Sequence, residues 1–436
     1  MNVSDSSLMA GYLSGMGMKP AENLSKADVV VVNTCSVRDH AEHRALSYLG
    51  RLKPYKQQNP KLKIVFAGCA AERMGEKLVK RRFPQVDMVI GAKNLENFPK
   101  IFSKFVDSSQ ITDDGKTKKT KTLSTVNRQP STAVSAFVTI MRGCENFCSY
   151  CVVPYVRGKE LSRPAGEIIA EIKCLADRGV KDVTLLGQNV NSYKDCVKLN
   201  VKSVKKTTMD FPQLLNLING IKGIERIRFM TSHPKDSGKK LIDAMASLDK
   251  VCPMLHLPLQ SGSDRILKIM NRGYTSKDYL AIIDYLRKKI PGAAVTTDIL
   301  TGFPGESDAD FMKTAALVKK INYDFMYVFK YSPRPGTEAA KLKDSVPLKT
   351  KEKRHAALLE ITNTTAGKKN AKLIGALQVV LVEGSQDGQC SGLTATNKKV
   401  YFPSKTGSKL IGKFVTVKIT GSKINSLSGV LTTPLS

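Results

Sequence analysis

No run of about 18 apolar residues occurs in the chain, so no segment reads as a membrane-spanning helix. The first twenty residues lack a charged n-region and an apolar h-region, which argues against secretion and for a cytoplasmic protein. Acidic residues are scarce. Asp and Glu total 38 against 69 Lys and Arg, which leaves a net charge of +31. That excess favours a polyanionic partner, most simply nucleic acid, over an acidic small molecule. A lysine-rich proteome would produce the same excess. The hydrophobic share, 42%, excludes a wholly disordered chain. At roughly 100–200 residues per domain, 436 residues make two to four domains.

Alternation of short apolar runs with charged helical stretches organises the first hundred residues. Residues 28–33, 63–67 and 86–90 read as strands, and 37–53 and 72–82 as helices. The run 28–33 is continuously apolar in its middle, the mark of a strand buried on both faces. This predicts a small parallel α/β domain over 1–106. Residues 107–132 have no apolar periodicity and are rich in Ser, Thr, Lys and Asp, so they read as a linker.

Alternation then resumes. Strands are expected at 136–141, 182–186, 226–231, 254–258, 294–299 and 324–329, with helices such as 166–178 and 277–288 between them. Six β-α repeats without an internal break, over 133–365, predict a barrel or part of one. Residues 349–372 form a polar helical connector. Short β segments at 377–383, 392–396, 399–402 and 413–419 follow and predict a small β-barrel over 370–436. Residues 371–436 carry eight Lys and two acids, so they are a plausible grip on nucleic acid or simply a solubilising surface.

The nine cysteines are unevenly spread. Three fall within eight residues, in Arg142-Gly-Cys144-Glu-Asn-Phe-Cys148-Ser-Tyr-Cys151, just after the first expected barrel strand. Such crowding in an intracellular protein points to metal ligation more than to disulfides. Loops after strands, at the C-terminal face, carry the active sites of barrels. Three thiolates there can hold three corners of a [4Fe–4S] cube and leave the fourth iron open. Zinc would need a fourth Cys or His, and no further CxxC pair and no HxxxH supplies it. Cys35 and Cys69 each follow a predicted parallel strand, so both fall at one sheet edge, where α/β folds bind ligands. Taken alone they are equally ordinary core cysteines. Residues 302–306, Gly302-Phe-Pro-Gly305-Glu306, lack the GK[ST] of a phosphate loop, which disfavours nucleotide hydrolysis.

The CxxxCxxC loop resembles that of radical S-adenosylmethionine (SAM) enzymes, and its surroundings resemble the methylthiotransferase family among them. The resemblance rests on Cys151-Val-Val-Pro-Tyr-Val-Arg157-Gly-Lys-Glu-Leu-Ser162-Arg163, Leu186-Gly-Gln188-Asn189-Val-Asn191 and Thr231-Ser-His233-Pro. It extends to Leu257-Pro-Leu-Gln260-Ser-Gly262-Ser, Thr297-Asp298, Gly302-Phe-Pro-Gly305-Glu306 and Tyr331-Ser-Pro-Arg334. It also covers Asn33-Thr34-Cys35-Ser-Val-Arg38 and Gly68-Cys69-Ala-Ala-Glu72-Arg73, and so nearly the whole chain.

The resemblance implies an α/β fold with an N-terminal methylthiotransferase domain, a partial (β/α)6 radical-SAM barrel and a TRAM-like RNA-binding β domain. It implies two [4Fe–4S] clusters and SAM as cofactors. Cys144, Cys148 and Cys151 would hold the radical cluster, and Cys35 and Cys69 the auxiliary one. The family uses a third auxiliary cysteine before a first strand; this chain begins Met1-Asn2-Val-Ser-Asp5 and is expected to lack both. Gln188, Asn189, Ser232, His233, Gln260 and Asp298, at successive strand ends, would face SAM and the target base or serve as structural polar residues. Arg157 would meet the SAM carboxylate or form a solvent ion pair. His256 reads as packing. The implied reaction is C2 methylthiolation of N(6)-isopentenyladenosine in a tRNA anticodon stem-loop. Sister enzymes act on threonylcarbamoyladenosine or on a ribosomal-protein aspartate, and a non-catalytic RNA-binding protein is the reading from another class. The partners implied are tRNA and an electron donor such as flavodoxin or ferredoxin, with no membrane, for a monomer.

Overall fold

The computed structural model describes residues 2–36, 39–105, 134–197 and 207–434. The expected linker, 107–132, lies outside the described residues, as does Arg38. The chain runs through α1 (Asn2–Gly15), β1 (Val29–Thr34), α2 (Asp39–Arg51), α3 (Lys53–Gln58), β2 (Lys63–Gly68), α4 (Cys69–Arg82), β3 (Met88–Gly91) and α5 (Phe98–Phe105). There follow β4 (Ser135–Thr139), β5 (Met141–Arg142), α6 (Val153–Arg157), β6 (Leu161–Ser162), α7 (Ala165–Asp177), β7 (Asp182–Leu186), β8 (Lys194–Val197), β9 (Thr207–Asp210), α8 (Phe211–Asn219) and β10 (Arg226–Phe229). Next come α9 (Lys239–Ser247), β11 (Met254–His256), α10 (Asp264–Ile269), α11 (Ser276–Lys289), β12 (Ala294–Thr301), α12 (Asp308–Ile321), β13 (Phe325–Lys330) and α13 (Leu348–Ala371). The last elements are β14 (Leu377–Gln386), β15 (Gln389–Thr394), β16 (Lys399–Pro403), α14 (Gly407–Leu410), β17 (Phe414–Ser422) and β18 (Leu427–Pro434). Among the described residues no helix is long and apolar enough to cross a membrane.

Two compact units result. The first gathers residues 1–129 with 142–147 and 151–161; the second holds 130–141, 148–150 and 162–436. The first contains a parallel sheet in the order β1-β2-β3. Its middle strand is covered on both faces. Ile64 and Phe66 pack with Leu46, Leu49 and Val79 on one side, and Val65 and Ala67 with Phe98 and Phe102 on the other. That two-sided burial is the physical reason these strands read as unbroken apolar runs. Helix α1 was not foreseen. It buries Ser4 and Asp5 beside Leu8 and Met9, so it has no clean apolar stripe to read.

In the second unit β4, β7 and β10 form one parallel sheet, and β11, β12 and β13 another. A parallel bridge between Ile227 and Val251 links the β10 row to the residues entering β11. The six strands therefore form an open, partial barrel in sequence order, as the alternation predicts. The helices pack outside through a single apolar core that includes Val183, Leu185, Ile227, Phe229 and Val295. Gly262 allows α12 to approach closely, because a Cβ there would stand 2.6 Å from the Thr314 Cα.

The C-terminal strands close into a five-stranded barrel, β14-β15-β16-β18-β17. The fifth strand, β18, was missed; in its sequence LSGVLTTP, Ser428, Gly429 and Pro434 break up the β-branched Val and Thr residues. This barrel docks on the partial barrel within the second unit. Arg226 and Arg228 leave β10 on the face opposite Ile227 and Phe229. Arg226 donates to the carbonyls of Leu393 and Val379 at 2.6 and 3.0 Å. Arg228 donates to those of Thr394 and Ala395 at 2.8 and 3.0 Å and ion-pairs with buried Asp182 at 2.8 Å. Removing one partner of such a buried pair strands the other charge. Arg228→Met should therefore destabilise the second unit by about 3–5 kcal/mol. A fall in the urea midpoint of the full chain, with early proteolytic release of the C-terminal barrel, would register it; an unchanged midpoint would refute this docking role.

Candidate functional site

In the first unit β1 and β2 end in register, Thr34 opposite Gly68. Cys35 and Cys69 are the next residues, which places both at the C-terminal edge of the sheet. Cys69 also opens α4. Only glycine fits at 68: its φ is +97°, and a Cβ would meet Asn33 Oδ1 at 2.3 Å and the Thr34 carbonyl at 2.6 Å. Cys35 is half-buried and Cys69 buried. Burial pushes the Cys69 thiol up, the Arg157 guanidinium opposes this, and neighbouring Cys35 and Asp5 add to the rise.

Arg157, at the end of α6, is placed differently from the expectation. Its Nη2 pairs with Asp5 at 2.7 Å and its Nε–H donates to Cys69 Sγ at 3.2 Å. Its side chain is only 5% exposed, so this is no solvent ion pair. It lies at the Cys35–Cys69 edge, paired with a carboxylate of the chain itself. Asp5 also accepts from Arg142 at 2.9 Å. Burial raises its pKa, but the two guanidiniums outweigh burial and leave the carboxyl below its ordinary value.

The first cysteine of the CxxxCxxC loop follows Gly143, whose φ of +77° and crowding by the Lys159 carbonyl, 1.8 Å from an imagined Cβ, require glycine. Cys144 and Cys151 are half-buried and belong to the first unit; Cys148 is buried and belongs to the second. Asn146 Nδ2 stands 3.5 Å from Cys144 Sγ. Phe147, inside the loop, has φ +46°. Cys148 Sγ accepts from Arg272 Nη1 at 3.2 Å. Arg272 was missed from sequence; its only signal was its place shortly after the Gln260-Ser-Gly262 stretch. Among the described residues no three His, Cys, Asp or Glu side chains form one metal-binding group.

The barrel mouth is built by the loops after β7 and β10. Asn189 braces it with both ends: Nδ2 donates to Asp236 at 2.6 Å and Oδ1 accepts from the His233 amide at 3.2 Å. Asn191 donates to Ser237 at 2.6 Å and leaves its Oδ1 buried without a partner. Among the described residues, Gln188 Oε1, Ser232 Oγ and His233 Nε2 are likewise buried without hydrogen-bond partners. His233 Nδ1 accepts from the Lys235 amide, which assigns the ring proton to Nε2. Burial, with Arg272 and Lys235 nearby, pushes the His233 pKa down to about 2, so the ring is neutral. The preceding Thr231 has φ +74° and Gln260 has φ +69°, rare values for residues with side chains. Gln260 is tied by its backbone, donating to the Asp298 carbonyl and accepting from Leu300. Asp298 Oδ2 lies 3.6 Å from His256 Nε2, and His256 Nδ1 is 3.0 Å from Thr296 Oγ1.

These features fit the cofactors. Buried polar atoms rarely go unpaired, and four such atoms at adjacent strand ends suit a polar ligand such as SAM. Thiols beside guanidiniums suit an anionic iron–sulfur cluster.

Comparison with known proteins agrees. The Radical SAM superfamily matches residues 138–318, the TRAM domain 371–432, and the Uncharacterized protein family UPF0004 residues 1–91. A tRNA-2-methylthio-N(6)-dimethylallyladenosine synthase of Endomicrobium trichonymphae is 44% identical over 430 residues, 98% of this chain and 97% of its own. That of Thermodesulfovibrio yellowstonii is 44% identical over 98% of this chain and 96% of its own. Among solved structures, the radical SAM methyltransferase TsrM from Kitasatospora setae, with cobalamin and a [4Fe-4S] cluster bound, superposes with a TM-score of 0.55 at 13% identity. It covers 89% of this chain and 77% of that one, a likeness of fold.

A histidine depressed in the folded state favours the fold above its unfolded pKa, near 6.5, and costs stability as pH falls below it. The wild type should lose up to about 1.4 kcal/mol per pH unit from this group between pH 6 and 4. Urea midpoints of His233→Gln should show a shallower acid slope; equal slopes would show that His233 charges freely. The motifs, the fold and the near-full-length identity converge: the chain belongs to the family of the tRNA-2-methylthio-N(6)-dimethylallyladenosine synthases, radical SAM methylthiotransferases.

Proposed function

We propose that this chain methylthiolates C2 of N(6)-isopentenyladenosine in the anticodon stem-loop of tRNA, as a cytoplasmic enzyme fed by a one-electron donor such as flavodoxin or ferredoxin. The observation that carries the reading is the CxxxCxxC loop directly after the first barrel strand, in a barrel whose mouth holds unpaired buried polar atoms. Cys144, Cys148 and Cys151 would hold the radical cluster. Cys35 and Cys69 would ligate the auxiliary cluster. When bound, SAM and its cluster supply the hydrogen-abstracting chemistry that a C–H bond of a purine demands.

The chain's own groups supply position and environment. Gln188, Asn191, Ser232 and His233 offer two amide oxygens, a hydroxyl and an N–H to a polar ligand. Asn189 fixes the loop that carries them. Arg157, ion-paired with Asp5, holds an N–H on Cys69 Sγ, a hydrogen bond that favours the charged sulfur against the burial that opposes it. The closed β-barrel carries exposed Lys405, Lys409, Lys413, Lys418 and Lys423, a basic surface for phosphates. A base beside the anticodon lies in a single-stranded loop, where its edges are accessible to a pocket.

Anaerobically reconstituted enzyme, given SAM, reductant, sulfide and tRNA containing isopentenyladenosine, should yield the 2-methylthio nucleoside by mass spectrometry. Product on threonylcarbamoyladenosine alone would overturn the substrate. Cys148→Ala should lose 5′-deoxyadenosine formation altogether, and retained cleavage of SAM would refute the ligand assignment. Deleting the C-terminal barrel would also strand Arg226 and Arg228, so the RNA surface is better tested by point changes. Gln at the five exposed lysines should weaken tRNA binding and flatten its salt dependence by roughly 0.7–0.9 for each phosphate no longer neutralised. An unchanged slope would place the grip elsewhere.

A further inference from the structure

Two buried arginines each donate one N–H to a cysteine sulfur at 3.2 Å: Arg157 to Cys69, and Arg272 to Cys148. The hydrogen bonds match, but the surrounding charge does not. Arg157 is ion-paired with Asp5. Arg272 has no carboxylate in ion-pairing range among the described residues; its other contacts are the Pro258 carbonyl at 3.0 Å, the hydroxyls of Tyr274 and Tyr150 at 3.1 and 3.5 Å, and the face of the Tyr274 ring, 5.3 Å from its centroid. All of these are neutral groups. Burial pushes the Tyr274 phenol up, which keeps it protonated.

A guanidinium only 5% exposed and without a counter-ion is costly. Buried charges persist when they are paired or serve a bound group. In this shell the group that would carry negative charge, as a thiolate ligand of iron, is the Cys148 sulfur, 3.2 Å from Arg272 Nη1. We propose that Arg272 sets the reduction potential of the iron–sulfur cluster held by Cys148, as an uncompensated cation at a ligand sulfur. The inference rests on the ligand assignment made above.

The physical argument is electrostatic. Reduction adds one electron, taken from a flavin or iron–sulfur donor that is oxidised by one. The reduced cluster is more negative by one charge. A fixed cation at the ligand, deep in low dielectric, stabilises that state and raises the potential. Hydrogen bonds to the sulfur and burial are the other levers, and both are shared with Cys69. There Asp5, shared by Arg142 and Arg157, and Glu96 on Arg142 together offset the two guanidiniums, so the net charge differs while the hydrogen bond is the same. Arg272 thereby biases the incoming electron toward the cluster that cleaves SAM. It is a positioning and tuning residue, with no contact to substrate required.

An EPR-monitored redox titration of the reconstituted full chain tests this, reading the cluster whose signal changes when SAM is added. Arg272→Gln keeps an N–H donor but removes the charge. With iron and sulfide content unchanged, it should show at least about tenfold less reduced cluster at a fixed potential, equivalent to about 59 mV for a one-electron couple. Arg272→Lys, which keeps the charge, should stay near the wild-type midpoint. Equal midpoints for Arg272→Gln and wild type, at full loading, overturn the proposal. If Arg272→Gln takes up no cluster, Arg272→Lys decides: loading with a near-wild-type midpoint supports the electrostatic role, while a midpoint lowered by about 59 mV or more, or failure to load, assigns Arg272 to structure alone. Cys148→Ala runs alongside. Retention of the same SAM-sensitive signal in that variant would overturn the ligand assignment itself and the inference with it.

Discussion

The carboxylate of Asp5, fully buried, holds the guanidiniums of Arg142 and Arg157 at once. Much of the first unit depends on that one group. It ties α1 to the residue just before Gly143 and Cys144, and to the end of α6, which in turn contacts Cys69 at the start of α4. A carboxylate taken out of water costs several kcal/mol, and the cost is recovered only with good geometry and full hydrogen bonding. Two guanidiniums on two oxygens meet that condition. The consequence is that the cysteine edge of a small sheet is braced by charge rather than by packing alone. Apolar packing supplies most of the stability, yet it does not fix which direction Arg157 faces.

The same constraint recurs in the second unit with different partners. Arg228 pairs with Asp182 and then turns its remaining N–H groups to backbone carbonyls of the closed barrel. Arg354 pairs with Glu306, which also accepts from the Gly302 amide. Residues 302–306 are thus a buried-charge hub for α13 and not a phosphate cradle. Because the TRAM barrel is docked through Arg226 and Arg228, it and the partial barrel form one compact unit.

How much of this was legible in the sequence follows from how local each signal is. Six barrel strands were legible because each is an apolar run between charged helices, and burial on both faces writes itself into composition. The cysteine loop was legible because its spacing is chemical. Helix α1 was not, since it buries Ser4 and Asp5 for ionic reasons and breaks the apolar stripe. Strand β18 was not, because Ser428, Gly429 and Pro434 interrupt its β-branched Val430, Thr432 and Thr433. Arg157 was noticed but its partner was not: the pair with Asp5 spans 152 positions. Arg272 has the same difficulty, with 124 positions between it and Cys148. Long-range charge pairing leaves no periodicity to read.

The mouth of the barrel shows why such long-range polar contacts matter to chemistry. A side chain with two polar ends can give one to the protein and keep one for a ligand. Asn191 gives its amide N–H to Ser237 and keeps its oxygen. His233 gives Nδ1 to the Lys235 amide and keeps Nε2–H. Each retained atom is held in orientation by the end that is spent, so no further entropy is needed to orient it. Asn189 spends both ends, which is why it braces rather than binds. From sequence alone, all of these residues fell into a single group at strand ends. The distinction between brace and ligand lies in where the second polar end goes, and only the folded chain decides that.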